Sequence, residues 1–177
     1  MKIKFIYLFP FIFFLSLLVI FFIKFEKIEK GESIEQIQSP LIGKNIPNIK
    51  IIKFNENQKI SFSKYKNKRF ILNFFASWCL PCKIEAPLLN KVSSKIPIIG
   101  IAYKDKEEDM IKFLKNYGNP FSEIGVDQLG SIAIEWGVYG VPETFLIDEN
   151  GKIIYKYAGA ISHELYKDKI IPFINND

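Results

Sequence analysis

The chain has 177 residues but only two cysteines, one histidine and one arginine, Arg69. Two cysteines cannot build a disulfide framework. They cannot complete a four-ligand zinc site either, because the lone His163 lies far along the chain from Cys79 and Cys82. A Cys–His nucleophile pair would depend on that same distant histidine, which makes it a weak reading. Basic side chains are almost all lysine, and the lysines are scattered, so the net charge of +5 describes a solvated surface and not a nucleic-acid-binding face. Internal repeats and low-complexity tracts are absent as well. What remains is a chain that is 49% hydrophobic, long enough for one domain with a proper core and an appendage.

The appendage is at the start. Phe5 to Ile23 reads FIYLFPFIFFLSLLVIFFI without a charge, a helix roughly as long as the hydrocarbon core of a bilayer is thick. Lys2 and Lys4 precede it and Lys24, Lys27 and Lys30 follow, so flanking charge does not orient it. A cleavable signal peptide is the competing reading. It would need a shorter apolar stretch and a small-x-small site, and no Ala-x-Ala appears between Ile23 and Ser39. The expected organisation is therefore an uncleaved anchor over residues 1–24, kinked at Pro10, a polar tether over 25–40, and a folded domain over 41–177.

Strand and helix signals alternate within that domain. Arg69 to Ala76 is a continuous apolar run, expected as a strand buried on both faces, and Pro97 to Tyr103 as a second. A helix is expected from Leu80 to Lys95. Another is capped by Asp105 with Glu108 at the capping-box spacing, carries Met110, Ile111, Phe113, Leu114 and Tyr117 at helical intervals, and stops at Gly118. A short helix spans Gly130 to Trp136. Thr144 to Ile147 and Lys152 to Tyr157 pair through a turn at Asp148–Gly151, and Ile161 to Asn175 closes the domain as a helix. This order predicts an α/β sandwich with a mixed sheet.

Both cysteines lie in FASWCLPCKIEAP, where the first strand ends and its helix begins. Cys79 falls at the helix N-terminus, where free N–H groups and the helix dipole favour a thiolate. Cys82 falls one turn later and more covered. This gives an exposed attacking sulfur and a resolving sulfur that releases a mixed disulfide. Pro81 fits the first turn, where its missing N–H is harmless. A disulfide closing so small a loop is a poor staple, so a purely structural bond is disfavoured.

With these residues in place, the segments FFASWCLPCKIEAP, GIAYKDKEEDMIKFLKNYGNPF and GVYGVPETFLIDENGKIIYKYAG resemble the membrane-anchored thiol-disulfide interchange proteins of cytochrome c maturation, the CcmG/DsbE type. The likeness covers roughly residues 41–175 and the anchor. It implies a thioredoxin-like three-layer α/β/α sandwich preceded by one transmembrane helix. Cys79 is implied as the attacking thiol and Cys82 as the resolving one. Pro142 is implied as a cis proline facing the pair, and the outward backbone of Val141 and Pro142, with Pro81, as the substrate contact. Glu85 and Glu143 are implied as acids near the pair, the plainer alternative being solvated glutamates. A negative charge there disfavours the Cys79 thiolate and makes a better reductant. Asn73, where generic thioredoxins carry a buried aspartate, points the same way. Trp78 is expected as core edge and shield for Cys79, and Tyr139 as packing or as a partner contact. Ala160 departs from the resemblance, which implies an acidic residue there.

The resemblance implies a single-pass protein of a bacterial inner membrane, its domain in the periplasm. It would reduce the disulfide of an apocytochrome c haem-binding segment or of a partner thiol protein. A membrane electron donor would re-reduce it, and no metal or cofactor beyond the Cys79–Cys82 disulfide is implied. A general thiol reductase, a non-catalytic apocytochrome-binding module and a disulfide-introducing oxidase are the rival readings.

Overall fold

The computed structural model describes residues 8–29, 39–56 and 58–175. The chain divides into two compact units, residues 1–37 and 38–177. The first contains α1 (Leu8–Glu29), a helix of 22 residues. Pro10 sits in its first turn, where an N–H would have no intrahelical acceptor. The large apolar side chains from Leu8 to Ile23 stand exposed. That uncharged part rises about 24 Å, against a hydrocarbon core of about 30 Å. Among the described residues no helix is long and apolar enough to cross a membrane. The helix also runs past residue 24, taking in the first residues expected as tether. Lys and Glu there are good helix formers. Most of the expected tether lies outside the described residues.

The second unit is a six-stranded mixed sheet covered on both faces. Its strands are β1 (Ile52–Lys53), β2 (Phe70–Phe75), β3 (Ile98–Tyr103), β4 (Glu123–Asp127), β5 (Glu143–Ile147) and β6 (Ile153–Ala158), in the order β1-β4-β3-β2-β5-β6. β2, β3 and β4 run parallel, while β1, β5 and β6 pair antiparallel to their neighbours. The helices are α2 (Leu80–Ser93), α3 (Glu107–Tyr117), α4 (Ser131–Glu135), α5 (His163–Leu165) and α6 (Ile171–Asn175).

The two-residue period of β2 separates the cores. Ile71 and Phe75 join Leu89, Met110, Phe113, Ile170 and Phe173 on the α2 face. Phe70, Leu72 and Phe74 join Trp136, Phe145 and Ile147 on the other. Asn73 therefore belongs to the α2 face, and so does Thr144, its register partner on β5.

Two expectations are corrected, and two strands lay outside the sequence reading. Asp105 does not cap α3. Lys106 is the N-cap, with no side-chain bond, because the Asp105 carboxylate is taken up by Ser77. The closing helix is not one regular α-helix. A π-helical stretch, Tyr166–Ile170, interrupts it just before Pro172, which has no N–H to return to the preceding turn. β1 and β4 carried no usable strand signal: β1 is two residues long, and β4 holds Gly125 because Ile51 occupies the space its side chain would need. The hairpin turn lies where it was expected, over Asp148–Gly151, closed by Gly151 N–H donating to Asp148 O with Gly151 at positive φ.

Gly100 of β3 lies under the Phe121 ring, which stacks on Phe75 at 4.5 Å between centroids; an added Cβ would come within 2.7 Å of the ring. Gly100→Ala is expected to destabilise the protein by about 1–3 kcal/mol, read as a shifted denaturation midpoint with unchanged m-value.

Candidate functional site

The site forms where β2 ends, α2 begins and the loop before β5 returns. Cys79 is the N-cap of α2 and Pro81 lies in its first turn. Cys79 and Cys82 are joined as a disulfide, with 5.3 Å between their Cα atoms. The N–H of Cys82 donates to Cys79 Sγ at 3.1 Å, so the sulfur takes the place of a capping oxygen. The sequence expectation of an exposed Cys79 is corrected: the residue is 3% exposed and Cys82 1%. Trp78, Leu80 and Ile84 carry the exposure around the bond instead.

Two contacts fix the approach to Cys79. Asp105 accepts both the N–H and the hydroxyl of Ser77, each at 2.6 Å. Trp78 donates its indole N–H to Lys104 O at 3.3 Å. The residue is 58% exposed, so Trp78 is a surface neighbour of Cys79 and not core edge; Trp136 is the fully buried tryptophan.

The opposite wall is the loop before β5. The Val141–Pro142 bond is cis, as the resemblance implies. Val141 O lies 3.4 Å from Cys79 Sγ. With the sulfur in a disulfide this is a contact without a proton. Pro142 O accepts the N–H of Gly159 at 2.8 Å, which corrects the expectation that this carbonyl faces outward. The Val141 N–H has no acceptor among the described residues.

Glu85 and Glu143 are both buried, so the solvated-glutamate alternative fails for each. The structure does not bring them together, because they lie on opposite faces of the sheet. Glu85 Oε1 accepts from Asn73 Nδ2 at 3.0 Å, and Oε2 from the N–H of Ile161 at 2.9 Å. Asn73 Nδ2 also donates to Thr144 Oγ1 at 3.0 Å, leaving Asn73 Oδ1 buried without a partner. Burial pushes the Glu85 carboxyl up from 4.5 to about 7, and its bonds to Ile161 and Asn73 pull it only part of the way back.

Glu143 shares the other face with Phe145 and Ile147. Its Oε2 lies 2.8 Å from Nζ of Lys156, a buried ion pair. The alignment falls short of a hydrogen bond at Oε2, but the charges compensate at this distance. Glu143 is therefore no bare negative charge acting on Cys79, which corrects the tuning role expected for it. Lys156 and Asp105 are the two site residues that sequence reasoning missed. Strand alternation places Lys156 opposite Phe145, on the face of Glu143, and is the signal that could have found it. Among the described residues no group of three or more His, Cys, Asp or Glu side chains is placed to hold a metal.

The Redoxin family model matches residues 41–170. A thiol:disulfide interchange protein DsbE of Haemophilus influenzae is 35% identical over 165 residues, covering 92% of this chain and 91% of that protein. The DsbE of Pasteurella multocida is 37% identical over 166 residues, covering 93% and 92%. Among solved structures, the thioredoxin domain of a thiol-disulfide oxidoreductase from Bacteroides vulgatus superposes with a TM-score of 0.65 at 23% identity. It covers 77% of this chain and all of that one, and shows the thioredoxin-like fold.

Glu85 makes stability depend on pH. Between about 4.5 and about 7 the folded protein holds the Glu85 proton and the unfolded chain does not. Its contribution, about 3 kcal/mol from the size of the shift, is full below the lower value and lost as pH rises through the upper one. Denaturant titrations of the oxidised protein across this window should show that decline. Glu85→Gln should remove it, since the amide does not titrate.

Proposed function

Because the chain belongs to the DsbE-type thiol:disulfide interchange proteins, and is a thiol-disulfide oxidoreductase of thioredoxin-like fold, we propose that it is a membrane-tethered, periplasm-facing dithiol reductant of cytochrome c biogenesis. Its client is the disulfide of an apocytochrome c Cys-x-x-Cys-His segment, or that of a partner thiol protein in the same route. The observation that carries the reading is the Cys79–Cys82 disulfide at the head of α2, with Val141 O facing Cys79 Sγ.

In the reduced protein, the Cys79 thiolate attacks one sulfur of the client disulfide. A mixed disulfide forms, and one client thiolate leaves and takes up a proton. Cys82, having lost its proton, attacks Cys79 Sγ and releases the second client thiol. The client gains two electrons and two protons, and the Cys79–Cys82 disulfide is restored. The N–H of Cys82 steadies the charge on Cys79 Sγ during attack. The free Val141 N–H and the apolar surround of Trp78, Leu80 and Pro81 receive the client backbone. A membrane electron donor returns the protein to the dithiol, since an oxidising compartment does not. No cofactor beyond the cysteine pair enters.

Reductant rather than oxidant is supported by the covered position of Cys79 and the negative end of the Val141 carbonyl beside it. Both disfavour the thiolate and so the reduced form, making the dithiol a better electron donor. Residues 1–24 form the anchor, 25–40 the tether and 41–177 the working domain. The uncharged run Phe5–Ile23 of the sequence and the exposed apolar side chains of α1 support the anchor.

Cys82→Ala, expressed in cells making c-type cytochromes, should trap clients as mixed disulfides on Cys79, read by non-reducing gels and mass spectrometry. Apocytochromes or thiol proteins of their assembly are the expected captures, and an unrelated set of clients would mean a general reductase. Cys79→Ser should abolish holocytochrome formation; normal haem staining in that variant would leave only a binding role.

A further inference from the structure

The buried pair Glu143–Lys156 has no part in the thiol exchange, yet it touches most of the loop that carries Val141. Its side chains are 2% and 4% exposed. Lys156 Nζ donates to Gly137 O at 2.5 Å and lies 4.3 Å from the centre of the Tyr139 ring. Glu143 Oε1 accepts the N–H of Tyr139 at 2.7 Å and of Gly140 at 3.3 Å. The Gly137 and Val138 N–H groups also donate to Ile134 O and Ala133 O, and Val138 and Val141 pack on the apolar core, but the Tyr139 and Gly140 N–H groups have only the Glu143 carboxylate as acceptor among the described residues. Gly137 and Gly140 have open space where a Cβ would stand, Gly137 has a φ of 58°, and Tyr139 is 67% exposed. Two glycines in four residues leave a backbone that is free to wander unless it is tied down. Burying two charges is unfavourable unless their geometry and remaining hydrogen bonds are satisfied, and here the satisfied groups belong to this loop.

We propose that Lys156 and Glu143 form a clamp holding Gly137–Val141 in the shape that receives an extended polypeptide beside Cys79. Lys156 is thus a positioning residue for protein substrates and not a tuner of the disulfide. The inference rests on the thiol-disulfide reading above. A small dithiol needs only to reach the Cys79–Cys82 bond. A polypeptide must also align with the Val141 backbone. Tyr139 then serves both expectations made of it: its inner face packs on the Lys156 ammonium and its outer face is open to the client.

The test uses the full-length protein and Lys156→Met, Lys156→Arg and the charge-neutral Lys156→Met/Glu143→Gln, the last guarding against misfolding from an unpaired buried carboxylate. Two rates are compared: reduction of the Cys79–Cys82 disulfide by dithiothreitol, and reduction of a synthetic peptide bearing one disulfide by the dithiol form. The double variant should lose about tenfold more rate on the peptide than with dithiothreitol, mainly through a raised apparent KM, with Arg recovering most of the loss. Equal losses on both reactions, or a changed reduction potential that accounts for the peptide loss, would overturn the clamp. Hydrogen exchange at the Tyr139 and Gly140 amides supplies the second readout, expected to quicken about tenfold in the double variant. Unchanged exchange would overturn the clamp by itself. A wild-type protein that exchanges with dithiothreitol but is inert to the peptide would refute the protein-reductant reading and with it the clamp's role in receiving substrate, while quickened exchange would still show that the pair holds the loop.

Discussion

Cys79 Sγ stands where three pieces of chain meet, and two of them meet it through backbone. The Cys82 N–H points at the sulfur from the first turn of α2, and the Val141 carbonyl abuts it from the loop before β5. The turn out of β2 is pinned through Ser77 to Asp105. A side chain at this spot can be replaced with modest adjustment, but a backbone group moves only with the element that bears it. The sheet order follows from this requirement: β2 is central, with β3 delivering Asp105 on one side and β5 delivering Val141 on the other. The two hydrophobic cores keep those three strands in register.

The sheet also divides the polar groups into two sets with separate work. On the α2 face, Glu85, Asn73 and Thr144 form a small hydrogen-bonded group in the apolar core, and no charged partner contributes to the raised affinity of Glu85 for its proton. On the other face, Glu143 meets a full positive charge in Lys156. One acid is thus left to titrate near neutrality while the other is held in an ion pair. The sequence reading placed both acids near the cysteine pair without separating them, and strand alternation separates them, because residues 143 and 144 point to opposite faces and Glu85 lies with Thr144.

The parts of the fold legible in the sequence were those with a strong local cause. The apolar run of β2, the Pro81 start of α2, the Gly118 stop of α3 and the β5–β6 hairpin stand within a residue or two of where they were expected. Cys79, Cys82 and the cis Val141–Pro142 bond were likewise placed by motif. What escaped notice was set by distant partners. β4 is a strand because β1 and β3 pair with it, although Gly125 weakens its own signal. Asp105 looked like a helix cap because its neighbour Glu108 fits the spacing, while the true partner, Ser77, is 28 residues away. Lys156 looked like a surface residue of an alternating strand until the hairpin register put it beside Glu143.

The central claim is that this dithiol donates electrons. Its most direct test is the reduction potential of the Cys79–Cys82 pair in the full-length protein, measured by equilibration in glutathione or dithiothreitol redox buffers. The covered sulfur and the Val141 carbonyl predict a value near or below that of thioredoxin, about −270 mV. A value near about −120 mV, the strong-oxidant end, would contradict the account and mean that the protein makes disulfides.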